Sequence, residues 1–262
     1  MIRVRVQGGM GNQLFQYAFA RELQERTQYN IQLVTSWYTR DKEIGRKFIL
    51  DHFNCKYNVV PQNDTYRCQY HIKDDFTEIV LSDIKDDTFY DGYWQREAFF
   101  HDIGAKLANE LLLQHQYIPN KIYALARKMK QENSVSIHVR RTDYLNIAEM
   151  ATCSEEYYRD SLQFICNRIN GIYVYVFSDD QEWVKEHFHF LQKYKIQFVN
   201  TGKDYLDWYL MSSCRHNVIA NSTYSWWAAY LNSNKDKIVV MPEKWNSAFD
   251  MTGLYLREWN VI

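Results

Sequence analysis

Residues 2–13 read IRVRVQGGMGNQ, and this stretch decides the fold class. Its first part alternates apolar and polar residues with the period of two that is typical of a strand. After the glycines, Phe15, Phe19 and Leu23 recur at the four-residue spacing of one helical face. A strand, a glycine turn and a helix over about residues 12–27 therefore predict the first βα unit of an α/β protein.

The rest of the chain continues this alternation. We expect mainly irregular structure over residues 37–88 and a connecting segment over residues 119–133. The pattern favours two Rossmann-like halves facing each other across a cleft, with domains at residues 1–125 and 126–262. The remaining strands are predicted at residues 31–35, 89–94 (as an extended segment), 135–139, 173–177, 196–199, 218–220 and 238–241. The remaining helices are predicted at residues 96–113, 155–168, 181–188, 205–212 and 225–231.

Composition narrows the class of function. The 262 residues carry a formal net charge of -1 and no basic tract, which argues against nucleic-acid binding. No apolar run approaches the roughly 20 residues that span a bilayer, and the charged N-terminus is unlike a signal peptide. We predict a cytoplasmic protein, compatible with peripheral association with a membrane. The five cysteines include no C-x-x-C pair, so we expect neither a disulfide framework nor a zinc site.

The glycine turn at residues 8–13 suits phosphate binding, because backbone N–H groups and the start of a helix meet there. It is a poor dinucleotide fingerprint. Leu14 occupies the third glycine position, and the second predicted strand ends in Val34-Thr35 without an acidic residue for a ribose. A dinucleotide oxidoreductase is therefore disfavoured. The alternative is a structural turn in which Asn12 caps the helix.

His138-Val139-Arg140-Arg141-Thr142-Asp143-Tyr144 ends the strand predicted at 135–139. Adjacent residues of an extended chain point to opposite sides. One arginine can therefore fork onto a diphosphate while the other pairs with a carboxylate such as Asp143. A cation held there would stabilise charge on a departing phosphate. The alternative is a surface salt-bridge cluster.

Two further polar clusters follow predicted strands. Ser178-Asp179-Asp180 offers carboxylates to a guanine base or a ribose, or to a metal, and Ser178 or Asp179 could instead cap the next helix. Asn221-Ser222-Thr223-Tyr224-Ser225 offers hydroxyls and helix N–H groups to an anion, and its hydroxyls could likewise be caps. Together these clusters suit a nucleotide-sugar donor. No G-x-S-x-G elbow or H-E-x-x-H motif points to a hydrolase.

The ordered motifs resemble those of the α-1,2-fucosyltransferases of glycosyltransferase family eleven. The resemblance rests on GGMGNQLFQYA at residues 8–18, HVRRTDY at 138–144, FSDD at 177–180 and NSTYSWWAA at 221–229. GYWQ at 92–95 also looks like a family feature. Each motif alone is weak, but the set in this order is specific. Residues 37–88 cannot be aligned with the family, which leaves the acceptor less defined than the donor.

The resemblance implies a GT-B-like α/β fold and metal-independent, inverting transfer of L-fucose from GDP-β-L-fucose to the 2-hydroxyl of a terminal galactoside. A role in polysaccharide biosynthesis is a further expectation. The N-terminal domain would take the acceptor and the C-terminal domain the donor. Arg140 would hold the β-phosphate, and Asp143 is available as a base. Arg140, Asp143 and Asn12 are predicted as catalytic, and the residues predicted to bind GDP-fucose are Gly11, Gln13, His138, Arg141, Asp179, Asp180, Ser222, Thr223 and Ser225.

Two alternatives remain open. One is a fucosyltransferase with another linkage or acceptor. The other is a non-catalytic protein that binds a nucleotide sugar or a glycan. The pair Arg140-Arg141 argues against the second, because binding alone has less need of a charge clamp on the leaving group.

Overall fold

The computed structural model describes residues 1–40, 45–60, 67–74, 84–142, 144–146 and 151–262. These form two compact units. The N-terminal unit comprises residues 1–114 together with 250–254, and the C-terminal unit comprises residues 115–249 together with 255–262. The chain passes between them after Gln114, whereas the boundary predicted at residue 125 lies inside a helix.

The N-terminal unit contains a parallel five-stranded sheet in the order β3-β2-β1-β5-β4. The central strand places Val4 opposite Leu33 on one side and Tyr90 on the other. Its strands are β1 Ile2–Arg5, β2 Ile31–Val34, β3 Asn58–Val60, β4 Tyr70–Lys73 and β5 Thr88–Asp91. Its helices are α1 Met10–Thr27, α2 Trp37–Arg40 and α3 Gly104–Glu110.

Helix α1 is buried on several sides, and its buried residues include polar as well as apolar side chains. Phe19 stacks on Trp94 with ring centroids 4.3 Å apart and meets the edge of Tyr90. The helix predicted over 96–113 is shorter than expected. Its first part forms 3₁₀ turns, Glu97–Phe99 and His101–Ile103. Phe99 and Phe100 are both buried there.

The C-terminal unit contains a parallel six-stranded sheet in the order β11-β10-β9-β6-β7-β8. Counted from its own first strand, this is the Rossmann order 3-2-1-4-5-6 read from the far edge. Its strands are β6 Ser134–Val139, β7 Tyr173–Ser178, β8 Lys195–Val199, β9 His216–Val218, β10 Val239–Met241 and β11 Asn260–Val261. Its helices are α4 Asn120–Gln131, α5 Glu155–Cys166, α6 Gln181–His187, α7 Asp204–Ser213 and α8 Thr223–Tyr230.

The segment expected to connect the domains is the helix α4. Ile122, Ala126 and Met129 recur at helical spacing and are its buried residues. Its other face carries exposed residues that include Lys121, Arg127 and Lys128. The segment is therefore an amphipathic helix that packs by one face, and not a linker. None of the described helices is long and apolar enough to cross a bilayer.

Candidate functional site

The polar clusters of the C-terminal unit gather at the carboxyl ends of its central strands. β6 lies between β7 and β9, and the chain continues from β6 to one side and returns to the other. Such a switch of direction opens a crevice beyond the strand ends, where α/β proteins bind ligands. Residues 140–142 follow β6, residues 179–180 follow β7 and residues 221–223 follow β9. The predicted motifs therefore converge on this switch point.

Asp179 holds the loop that follows β6. Its Oδ1 accepts the backbone N–H of Arg141 at 3.0 Å, and its Oδ2 accepts the N–H and the hydroxyl of Thr142 at 3.1 and 2.6 Å. Nη1 of Arg140 lies 3.2 Å from the same carboxylate. The predicted contact of Asp179 with guanine has no direct support here, because its oxygens are engaged by the arginine loop.

Arg141 faces the protein. Its guanidinium carbon lies 3.4 Å from the centre of the Trp183 ring, and its Nε lies 3.5 Å from Asp180 Oδ2. Asp180 is also the N-cap of α6, where its side chain accepts the N–H of Trp183. The sequence left open which arginine forms an internal pair. In the structure both do, Arg140 with Asp179 and Arg141 with Asp180, and Arg141 is distinguished by its close stack on Trp183.

His138 is a buried, neutral imidazole. Burial and the neighbouring Arg140 lower the pKa of His138 to about 3. Its ring lies 5.3 Å from that of Tyr224, and its backbone carbonyl accepts the hydroxyl of Tyr158 at 3.0 Å. Among the described residues its Nδ1 has no hydrogen-bond partner. A neutral imidazole can donate or accept at such a site.

The loop after β9 carries several hydroxyl groups, and they differ in their hydrogen bonds. The side chain of Ser225 donates to backbone carbonyls of Ala220 and Ser222, and it is fully buried. Ser222 is the N-cap of α8, but its side chain makes no capping hydrogen bond in the described chain. Asn221 binds the backbone carbonyls of Ala151 and Trp245. Ser222, with Thr223, is thus better placed than Ser225 to meet an anion.

The glycine turn of the N-terminal unit follows β1, as predicted. Gly8 has φ +78, and Gly9 lies so close to Arg46 that a Cβ there would sit 2.5 Å from its Nη1. Gly9 is the N-cap of α1, so Asn12 lies inside the helix and does not cap it. Gln13 is buried and binds the backbone of Lys47 and Ile49. The polar atoms of Gln13 therefore hold the segment around Arg46 in place.

Three features of the structure do not correspond to the predictions from the sequence. Arg46 was missed because nothing in its neighbourhood marks it as a partner of Gly9. A cavity of 380 Å³, lined by Tyr57, Lys56 and residues of α1, contains none of the predicted site residues. Asp143, predicted as a catalytic residue, lies outside the described residues.

The two parallel sheets, with an arginine loop and helix starts at the strand ends, have the architecture of the GT-B-like α/β class. A crystal structure of NodZ α-1,6-fucosyltransferase soaked with GDP-fucose shares the fold, with a TM-score of 0.55 at 14% identity over 88% of this chain and 92% of that chain. The chain belongs to glycosyl transferase family 11, whose model matches residues 63–262. The fold class, the family and the assignment as an enzyme are thereby confirmed.

Three relatives show the range of this family. An α-1,2-colitosyltransferase of Escherichia coli is 27% identical over 94% of this chain and 92% of its own length. The O-antigen biosynthesis glycosyltransferase WbnK of Escherichia coli is 28% identical over 96% of this chain and 97% of its own length. Galactoside α-(1,2)-fucosyltransferase 1 of Leontopithecus chrysomelas is 26% identical over 51% of this chain and 40% of its own.

Proposed function

We propose that the protein is an inverting α-1,2-fucosyltransferase that moves L-fucose from GDP-β-L-fucose to the 2-hydroxyl of a terminal galactoside. Three observations support this proposal together. The chain belongs to glycosyl transferase family 11, one relative is a galactoside α-(1,2)-fucosyltransferase, and a solved structure of the same fold was soaked with GDP-fucose. The observation that carries the proposal is the Arg140–Asp179 arrangement at the switch point of the C-terminal unit.

In this proposal the C-terminal unit binds the donor. The guanidinium of Arg140 binds the β-phosphate of GDP, while Ser222, Thr223 and the start of α8 surround the diphosphate. His138 donates to or accepts from the nucleoside as a neutral group. The other predicted residues of this unit hold these groups in position through contacts within the protein. They are Arg141, Asp179, Asp180 and Ser225.

The reaction exchanges one bond at the anomeric carbon. The bond from that carbon to the β-phosphate oxygen breaks, and a bond to the acceptor 2-hydroxyl oxygen forms on the opposite face. The hydroxyl proton passes to a base, for which Asp143 and the departing phosphate are the candidates. Arg140 stabilises the charge that develops on the phosphate, and stabilisation confined to the transition state raises the rate. We propose that no metal ion is needed, so activity should survive a chelator. Loss of activity that magnesium or manganese restores would contradict this.

A second candidate donor follows from the relatives. One of them transfers colitose in α-1,2 linkage, and another acts in O-antigen biosynthesis. Transfer of colitose to a polysaccharide intermediate is therefore the main alternative to transfer of fucose. In this proposal the site residues described above bind the nucleotide part of the donor, which the two donors would share, so these residues do not distinguish the two sugars.

The deciding experiment measures GDP release with GDP-fucose and with GDP-colitose, using lactose or N-acetyllactosamine as acceptor. A reaction without acceptor and an Arg140→Ala variant serve as controls. We expect release from GDP-fucose that requires both the acceptor and Arg140, and linkage analysis of the product should give the α-1,2 bond. Faster release from GDP-colitose would favour the second donor. Donor binding without transfer to any galactoside would favour a different acceptor or a binding protein.

A further inference from the structure

The turn Gly92–Gln95 lies at the switch point of the N-terminal sheet. It follows β5, which pairs with β1 in a parallel sheet, so it meets the glycine turn of residues 8–13 at the same carboxyl edge. Within this turn Trp94 has φ 56 although its side chain is fully buried. Bulky residues avoid this region, and such conformations persist only where surrounding contacts enforce them.

Asp74, which follows β4, binds the backbone of the strained residue directly. Its Oδ2 accepts the N–H of Trp94 at 2.7 Å, and its Oδ1 lies 3.2 Å from Nη1 of Arg96. The Asp74 side chain is only 1% exposed. Gly92 permits this approach, because a Cβ there would lie 2.1 Å from Asp74 Cβ. The buried carboxylate of Asp74 therefore binds the turn from one side.

The opposite side of the turn is tied to helix α1. Nε2 of Gln95 donates to Asn12 Oδ1 at 3.0 Å. Nε2 of Gln16 donates to the carbonyl of Gly92 at 2.9 Å, and Oε1 of Gln16 accepts the N–H of Gln7 at 2.9 Å. The turn is thus held on both sides, by Asp74 at Trp94 and by helix α1 at Gly92 and Gln95.

We propose that Gln95 contacts the acceptor sugar and that Asp74 is its positioning residue. Gln95 is half-buried, and after its bond to Asn12 it keeps a carbonyl oxygen that can accept from a sugar hydroxyl. Asp74 acts at a distance, by holding Trp94 in its strained conformation. The inference rests on the proposed function, since it assigns Gln95 to the acceptor of that reaction.

The test compares acceptor kinetics in four variants. Gln95→Ala should raise the acceptor KM about tenfold with little change in donor KM, because one hydrogen bond to the acceptor is lost. Asp74→Ala and Gly92→Ala should both lower kcat/KM for the acceptor by about 10- to 100-fold, since small misplacements have effects of this size. Asp74→Asn should recover part of the loss, because its amide oxygen can still accept the Trp94 N–H.

Glu110→Gln is the matched control for stability. Glu110 is a buried carboxylate of the same unit that pairs with Arg21, with Oε2 to Nε at 2.8 Å. Among the described residues, the side-chain hydrogen bonds of Glu110 go to Tyr17 and Arg21, and none of them reaches the turn at 92–95. We expect a lowered Tm with the acceptor kinetics of wild type. The inference requires a kinetic loss in the Asp74 variants that exceeds any loss in Glu110→Gln at a temperature where both are folded.

Three results would overturn the inference. Wild-type acceptor kinetics in Asp74→Ala would remove the positioning role, and an unchanged acceptor KM in Gln95→Ala would remove the contact. Equal kinetic losses in Glu110→Gln and Asp74→Ala would reduce the effect to general stability. In each case the wild-type enzyme is active, so the proposed function stands. A wild-type chain that transfers no sugar to a galactoside would instead contradict the proposed function and the inference with it.

Discussion

Nη1 of Arg140 lies 3.2 Å from Oδ2 of Asp179, a carboxylate that also accepts the backbone N–H groups of Arg141 and Thr142. One acidic group after β7 therefore fixes both the loop after β6 and the cation that this loop carries. Fixed charges act on a transition state without first having to reorganise. The pair is partly exposed, so its value lies in the position of the cation more than in stability.

Arg140→Ala should lower kcat by about 10²- to 10³-fold, the effect typical of removing one preorganised group from developing charge. The Tm should change little, because the side chain is partly exposed. Arg140→Lys keeps the positive charge but loses the bidentate guanidinium, so its kcat should lie between those of wild type and Arg140→Ala. GDP release and a thermal melt measure the two effects. Turnover equal to wild type in Arg140→Ala would rule out a role for Arg140 in stabilising the departing phosphate.

Arg141→Lys should lower stability by about 0.5–2 kcal/mol, because the planar guanidinium stacks on Trp183 and a lysine does not reproduce that contact. Its effect on turnover should be smaller than that of Arg140→Ala. Chemical denaturation and GDP release test both statements. A variant with the wild-type Tm and the kinetics of Arg140→Ala would mean that Arg141 binds GDP-fucose, as the motif predicted.

His138 should make stability depend on pH. Its pKa is lowered from 6.5 to about 3 in the fold by burial and by Arg140. Below about pH 6.5 the unfolded chain therefore binds a proton that the folded chain does not. Stability is fully present above this pH and falls as pH drops towards 3, by at most about 1.4 kcal/mol per pH unit for this group.

Thermal melts between about pH 7 and pH 4.5 measure this slope. His138→Gln should flatten it by removing one of the groups that titrate. His216→Gln is the matched control, because burial and Arg215 lower the pKa of His216 to about 4. This variant should lose only the part of the pH slope that comes from His216. An unchanged slope in His138→Gln would mean that the imidazole is not held neutral in the fold.

Lys237→Met should lower the free energy of unfolding by about 1.5–3 kcal/mol. Its ammonium donates to the carbonyls of Ala229, Tyr230 and Asn232 at 2.8, 3.0 and 3.0 Å, and so it closes the C-terminal end of α8. A cation there also complements the helix dipole. Lys235→Met alters an exposed lysine nearby and should have no effect. Denaturation midpoints compare the two, and equal midpoints would contradict the capping role.

The sequence predicts the strands of the C-terminal unit well where they are continuous apolar runs. β7 is such a run and matches expectation within a residue, since a continuous apolar run has few other solutions in a parallel sheet. β8 also matches within a residue, although Gln197 interrupts its apolar residues. β9 begins earlier than predicted, at His216, because its polar residues find partners inside the fold. Asn217, for example, donates to the Ser136 hydroxyl at 2.7 Å. A buried polar pair of this kind leaves no hydrophobic signal.

The motifs predict where the site lies better than what each residue does. All of them lie at carboxyl ends of strands, which follows from local pattern and fold class. The division of labour between Arg140 and Arg141 depends on Asp179, Asp180 and Trp183, which are distant in sequence. Asp74 shows the same limit, since its neighbourhood has no motif and its partner Trp94 comes 20 residues later.

The short return of the chain to the N-terminal unit at residues 250–254 bears on how family members can recombine. Leu254 is fully buried, and Gly253 sits so close to Arg96 that a Cβ there would meet its side chain at 2.6 Å. A chimera made by joining the first 114 residues of one enzyme to the remainder of another would pair this segment with a foreign partner. Exchange of the whole N-terminal unit between such enzymes therefore needs two crossovers near the C-terminus as well as one in the middle.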